Sequence, residues 1–315
     1  MRSVQNPVEH FDPTAIGSDA PRSRRQLWMR RLARTLVSTL GLNRPTELAT
    51  EIVQAIRPYA TIPTRHGPLY CVTGHGRLVW RARTYHTEEP ETIAWLDRMD
   101  SSSVYWDVGA NVGLYAIHAA RFRGARVLAF EPESQNFALL VENVFLNRVG
   151  DLCRPACIAL SGRSGPGELA VRYLTKGGAY NHFLDGTTPP TPESQETSGN
   201  NSAGLHQVVY SVTLDDLVHE WGETPPTHLK IDVDGLEPSI IAGAHRLLDC
   251  MTLRTVLIEI NRASPADLEI PKIITSHGFQ LRSERSNWLS REDRTREHEM
   301  PTTNMIFDRD ASTQH

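Results

Sequence analysis

The stretch Val104–Gly113, VYWDVGANVG, constrains this chain more than any other part of it. Its apolar run ends in Asp107 and is followed by Gly109 and Gly113 with Asn111 between them. That is the pattern of a buried strand that stops at a tight turn and reopens as a helix through Leu114, Ile117, Ala120 and Phe122. Glycine permits the sharp turn and lets a ligand lie against bare peptide, while free N–H groups at the start of the next helix face the same space. The spacing D-x-G-x-N-x-G differs from the dinucleotide pattern G-x-G-x-x-G. A carboxylate ahead of the first glycine would repel a pyrophosphate and attract an ammonium group.

The following segments repeat the strand-then-helix alternation of a parallel sheet. Arg126–Phe130 predicts a second strand ending at Glu131, which lies 24 positions after Asp107. An acid about 20 residues past such a turn suits vicinal ribose hydroxyls, since both can donate to one carboxylate. Ser134–Leu146 predicts a helix and Arg154–Leu160 a third strand, with Glu168–Leu174 as an added strand. Residues 177–204, rich in Gly, Pro, Ser and Thr, predict a mobile insert, and the polar ring of His182 beside its first glycines is a candidate substrate contact. After Val208–Val212, Thr213 is placed to cap a short helix.

The segment HLKIDVDG (228–235) is the second informative stretch. Leu229–Val233 has strand character, Asp232 and Asp234 lie at its carboxyl end, and Glu237 opens a helix over Pro238–Leu248. In open α/β sheets the ligand crevice lies beyond the carboxyl ends of the strands, so Asp107, Glu131 and Asp232 should converge there. Thr255–Ile260 reads as a fifth strand ending near Glu259 and Asn261. A helix over 266–276 and short strands at Phe279–Arg282 and Thr303–Phe307 complete the sheet.

Upstream, residues 1–24 predict a disordered tail and 25–100 a helical and hairpin extension ahead of a main domain over 101–309, with 310–315 as a tail. Within 26–42, Met29, Leu32, Leu36 and Leu40 fall at helical spacing beside Arg30, Arg31 and Arg34. Such a helix could rest on an anionic membrane or carry a partner contact; the plainer reading packs it on the domain or on a second protomer of a homo-oligomer. Thr46–Ile56 reads as another helix, Leu69–Val72 with Arg77–Trp80 as a hairpin, and Glu88–Met99 as a helix. Tyr85, His86, Glu88 and Glu91 could then wall the site.

Composition narrows the partners. The formal charge is −4, and 30 of the 33 basic residues are Arg, a uniform bias that argues for no nucleic-acid partner. No stretch of about 18 apolar residues is present to cross a bilayer, and no charged-then-apolar leader opens the chain, which predicts a cytoplasmic protein with at most a peripheral membrane contact. The four cysteines are too few and scattered for a disulfide scaffold or a zinc site of paired cysteines.

Together VYWDVGANVG, LAFEP, TLDDL, LKIDVDG and LIEIN resemble the FkbM family of S-adenosylmethionine-dependent methyltransferases over residues 90–308. The resemblance implies an α/β Rossmann-like class I methyltransferase fold: a mostly parallel seven-stranded sheet with helices on both faces and an antiparallel last strand. It also implies that Asp107, Gly109, Asn111 and Gly113 line the methionine part of S-adenosyl-L-methionine and that Glu131 holds its ribose. The family often has an acid where this chain has Ser161-Gly162, which leaves Ser161 at the adenine end, and Glu where Asp234 stands. The activity implied is methyl transfer to a hydroxyl of a sugar, glycolipid or secondary metabolite.

For that reaction Asp232 is the expected base, with Lys230 and Glu259 as catalytic neighbours, and Asp234 and Glu237 as candidate substrate contacts. The plainer alternative is a salt bridge between Lys230 and one acid. Mg²⁺ on Asp232 and Asp234 with Glu259 and Asn261 is the less favoured arrangement, since the adjoining Gly235–Glu237 crowds octahedral waters. The rival functions are methyl transfer to nitrogen or nucleic acid on the same fold, a nicotinamide oxidoreductase, and a binding module without catalysis.

Overall fold

The computed structural model describes residues 24–41, 58–74, 76–171, 176–178, 182–184, 205–286 and 302–309, with isolated positions at 47, 51 and 56. The expected tails, most of the helix over 46–56 and the middle of the insert lie outside the described residues. The first helix, α1 (Arg24–Thr39), forms as its spacing predicts. Trp28, Leu32, Leu36 and Leu40 are exposed along it, so these side chains do not pack on the domain.

A hairpin of β1 (Tyr59–Thr64) and β2 (Gly67–Val72) follows. Here the structure corrects the sequence reading, for Arg77–Trp80 lies in a helix, α2 (Gly76–Thr84), rather than in the second arm of a hairpin. Leu78, Ala82 and Tyr85 are buried at helical spacing, a periodicity that four residues are too few to reveal. Helix α3 (Pro90–Leu96) starts at a proline, whose missing N–H costs nothing in the first turn.

The main domain then runs β3 (Val104–Val108), α4 (Leu114–Arg123), β4 (Arg126–Phe130), α5 (Ser134–Leu146) and β5 (Cys153–Ala156). The predicted third strand splits at this point. Pro155 lies in β5 at the edge of the sheet, where a residue without an N–H is tolerated. The chain then enters a second sheet as β6 (Ala159–Leu160), joined by β7 (Gly165–Val171), β8 (His182–Leu184) and β9 (Leu205–Val212) in the order β6-β9-β7-β8.

Thr213 caps α6 (Leu214–His219) by accepting from Asp216 N at 2.9 Å. Strand β10 (His228–Ile231) leads to α7 (Glu237–Ala242) and α8 (His245–Asp249), where one helix was expected. The break falls at Gly243, where a Cβ would lie 2.8 Å from the Ser161 carbonyl oxygen. Strand β11 (Thr255–Asn261), a 3-10 turn at Asp267–Glu269, α9 (Ile270–Ser276), β12 (Phe279–Ser286) and β13 (Thr302–Arg309) close the domain.

The seven-stranded order is β12-β13-β11-β10-β3-β4-β5, with β13 antiparallel to both neighbours and the other pairs parallel. This is the α/β Rossmann-like sheet with an antiparallel last strand. Alternation divides the core in two: Tyr105, Leu257 and Ile117 share one cluster, while Trp106, Ile231 and Ile258 share the other. Asp107 follows Tyr105 at period two and pairs in register with Lys230 on β10. Two charged groups are thereby set into the first apolar face at the carboxyl ends of adjacent central strands.

Candidate functional site

The opening turn is held by a crossing of chains. The N–H groups of Gly109 and Ala110 both donate to the Phe130 carbonyl, at 3.1 and 2.9 Å, so the ends of β3 and β4 share one acceptor. Gly109 has φ 84°, and a Cβ there would lie 1.8 Å from the Asp232 carbonyl oxygen. Only glycine lets the turn touch the end of β10. Asn111, at φ 52°, donates its N–H to Glu131 Oε2 at 2.8 Å, and Glu131 Oε1 accepts from Glu133 N at 2.9 Å. Burial pushes the Glu131 carboxyl up to about 8, against the lowering effect of those two N–H groups.

A cavity opens beside this turn. Gly109, Asn111, Glu131, Asp232 and Asp234 line its polar part, and Phe130, Ile158, Leu160, Phe183 and Leu236 its apolar part. Asn111 Oδ1 is buried with no hydrogen-bond partner among the described residues. Gly178 also lines the cavity, its carbonyl accepting from Asn111 Nδ2 at 2.7 Å and from Asn136 Nδ2 at 3.1 Å. Gly177 donates its N–H to Asn136 Oδ1 at 2.8 Å and accepts from Arg81 Nε at 3.0 Å. Residues 177–178 therefore form a strap pinned from α2, the glycine turn and α5.

Behind the cavity lies a cluster of charges. Lys230 is 1% exposed, and its Nζ lies 2.5 Å from Asp232 Oδ2 and 5.5 Å from the centre of the Tyr115 ring. Burial opposes the ammonium charge, but Asp232, Glu89 and Asp107 outweigh it and raise the lysine above its ordinary range. Burial also raises Asp107, against the pull of Lys230 and of the neighbouring Tyr105 hydroxyl. Glu89 accepts from the Thr92 hydroxyl at 2.8 Å; burial pushes it up to about 7, with Lys230 lowering it and Asp232 raising it. Glu259 is raised well above the usual range by burial and then by the negative charge of Asp232. The arrangement pairs a carboxylate at a cavity wall with a cation that fixes it from behind.

Residues 107–281 match the methyltransferase FkbM domain, which is more than half of the chain. The chain belongs to the FkbM methyltransferase family. Among curated relatives, the hexuronic acid methyltransferase AglP of Haloferax volcanii is 28% identical over 184 residues, covering 58% of this chain and 66% of that one. This chain thus spans just under two thirds of that relative's length. The 31-O-demethyl-FK506 methyltransferase FkbM of Streptomyces tacrolimicus is 28% identical over 205 residues, covering 58% of this chain and 74% of the relative. Among solved structures, methyltransferase FkbM from Methylobacillus flagellatus superposes with a TM-score of 0.42 at 16% identity, covering 73% of this chain and 53% of that one.

Within this FkbM domain the expected residues fall into separate places. Gly109, Asn111, Glu131, Asp232 and Asp234 meet at the cavity. Asp107 sits behind it, and a Cβ at Gly113 would lie 2.2 Å from Leu140, so that glycine serves helix packing. Glu237 accepts from Val233 N at 3.0 Å and Gly235 N at 2.9 Å, holding the turn in which Asp234 has φ 57°. Ser161 is buried with its hydroxyl 3.3 Å from that of Ser239 and is not part of the cavity lining. His182, on β8, pairs with Ala170 of β7, and its side chain lies outside the described residues.

The expected wall of Tyr85, His86, Glu88 and Glu91 does not assemble. Tyr85 bonds His118, His86 bonds the Pro63 carbonyl and Glu91 accepts from Asn304, while Glu88 alone feels the charge of Asp232. The residue on that segment that reaches Lys230 is Glu89, which the sequence reading passes over. Its signal is faint: an acid just before Pro90 reads as an ordinary helix start. Asn136, which holds the strap, carries no local signal at all.

Proposed function

We propose that the protein is an S-adenosylmethionine-dependent O-methyltransferase acting on a hydroxyl of a sugar, glycolipid or secondary metabolite. The observation that carries this reading is the contact of Gly109 with the Asp232 backbone, which sets the glycine turn and a strand-end carboxylate at one cavity. The cavity residues fit the cofactor. The unpartnered Asn111 Oδ1 suits its ammonium, and Glu131, whose oxygens each accept one N–H and retain a further lone pair, suits its diol. The apolar end around Phe130, Ile158 and Leu160 suits a flat base.

When bound, this cofactor supplies a methyl group on a sulfonium, a ready electrophile that needs no metal. The chain's part is to align the acceptor and take its proton. Asp232 is the base in this reading. Lys230 holds one of its oxygens and leaves the other for the acceptor hydroxyl, and its ammonium occupies a carboxylate oxygen that Mg²⁺ would need, which supports turnover independent of added Mg²⁺. The name of one relative, a 31-O-demethyl-FK506 methyltransferase, supports oxygen as the acceptor atom, and that of the other, a hexuronic acid methyltransferase, supports a sugar-derived acceptor.

Asp232→Asn tests the assignment. It should lower kcat by about 10²–10⁴-fold, the usual worth of a positioned base. Binding of S-adenosylhomocysteine, measured by calorimetry, should stay near wild type. The readout is a screen of carbohydrate and polyketide acceptors for the mass gain of one methyl group. Full turnover in the variant would remove Asp232 as base, and a wild-type protein that does not bind S-adenosylhomocysteine would end the methyltransferase reading.

A further inference from the structure

Away from the cavity, three side chains from three elements meet at one point. His66 is in the β1–β2 turn, Asp97 follows the end of α3, and His118 is on α4. His66 Nε2 lies 2.7 Å and His118 Nε2 3.1 Å from the same oxygen, Asp97 Oδ1. One ligand atom from each residue lies within 4.8 Å of the other two, the one such group among the described residues. We propose that His66, Asp97 and His118 form a binding site for a divalent transition-metal ion, with zinc the best match.

At His66 the donor pattern is one that a cation satisfies and a neutral hydrogen-bond network does not. Arg65 Nε donates to His66 Nε2 at 3.1 Å, which sets that nitrogen as an acceptor whose one lone pair the guanidinium holds until an ion displaces it. The same nitrogen nevertheless faces a carboxylate oxygen at 2.7 Å. Two acceptors at that distance repel unless a cation or a proton lies between them. Two imidazole nitrogens and one carboxylate oxygen form a ligand set that zinc accepts at about 2.0–2.2 Å, and small outward shifts of the three atoms would accommodate such bonds.

The surroundings are those of a supported site. His118 Nδ1 is 2.6 Å from the buried Tyr85 hydroxyl, which fixes the ring with Nε2 aimed at Asp97, as outer partners orient metal-binding histidines. The other Asp97 oxygen is held by Arg65. Phe122 packs 5.2 Å from the His118 ring and 5.7 Å from the His66 ring, shielding one side. Entry is from the surface, where His66 and the edge of Phe122 line a cleft of about 450 Å³. The ion would tie the N-terminal hairpin, through His66, to the two helices α3 and α4 that cover the charge cluster.

Zinc titration of the full chain, freed of metal by a chelator and dialysed, tests the site by calorimetry and thermal melting. One equivalent should bind and raise the melting temperature. His66→Ala, at a turn residue whose loss leaves the core intact, should weaken zinc roughly 100-fold or more, and Tyr85→Phe roughly tenfold through the orientation of His118. Arg65→Ala keeps all three ligands and should still bind one equivalent. Cobalt(II) should give a visible spectrum of imidazole ligation that His66→Ala abolishes. No uptake by the wild type, or zinc affinity unchanged in His66→Ala, would overturn the proposal; either result leaves the cavity assignment untouched.

Discussion

The acids of this domain serve in two ways, and the contrast separates scaffold from chemistry. At the rim of the sheet, Glu131, Glu133 and Glu237 each accept two backbone N–H groups, and each fixes one loop beyond a strand end. Behind the cavity, Asp107, Asp232 and Glu89 surround one buried cation, Lys230, and Glu259 feels the negative charge of Asp232 and Glu89. A carboxylate bonded to fixed peptide dipoles holds geometry without depending on another side chain. Carboxylates that share one ammonium depend on each other, so the position of a proton in one alters the rest. The second arrangement is the one suited to receiving a proton, and it sits against the wall from which Asp232 reaches the cavity.

Removing the shared cation should expose this difference most strongly. Lys230→Met keeps the length of the side chain and leaves the carboxylates uncompensated, which should cost about 3–5 kcal/mol of stability at pH 8. The deficit should narrow as pH falls toward 5, because a protonated carboxyl needs no cation. Denaturant midpoints at both pH values measure it; equal midpoints for variant and wild type at pH 8 would mean that the charges are solvated and independent. At the rim the effect should be smaller and local. Glu133→Ala removes the cap that accepts from Gln135 N and Asn136 N at the start of α5, and should cost about 1–2 kcal/mol. A loss as large as that of Lys230→Met would erase the distinction between the two groups.

The two regions also differ in how far the sequence discloses them. The turn and strands β3, β4, β10 and β11 are legible because continuous apolar runs end at glycine or an acid, a signal carried by neighbours along the chain. Glu131, Asp232 and Lys230 follow from their places at or near strand ends. Glu89 does not, because its meaning depends on α3 folding over β10, and nothing within a few residues announces that contact. Asn136 and Gly177 are 41 positions apart, and His66 and Asp97 are 31 apart, so strap and histidine cluster exist only in the fold. Short apolar runs fail for another reason. Arg77–Trp80 fits strand or helix alike until Ala82 and Tyr85 extend the period, and β5 yields to β6 because Pro155 sits at an edge that only the sheet order reveals.

Glu131 is the rim acid that both holds backbone and faces the cavity, and its protonation gives the finest test. Burial raises its carboxyl from an ordinary 4.5 to about 8, so in the free protein at pH 7 it is mostly protonated. A raised folded-state value contributes stability that is fully present below about 4.5 and is lost as pH rises through about 8. The free protein should therefore melt at a lower temperature at pH 8.5 than at pH 6. In the proposed reading two ribose hydroxyls donate to Glu131 and favour the carboxylate, so S-adenosylhomocysteine should bind with proton release and tighten as pH rises from 6.5 to 8.5. One proton permits at most about tenfold per pH unit, and competition from the two N–H groups should hold the change to roughly three- to tenfold overall. Calorimetry in two buffers of different ionisation heat reads the proton directly. Binding that is flat with pH and releases no proton would assign Glu131 to the backbone alone, as with Glu133, and would move recognition of the diol to another residue of the cavity.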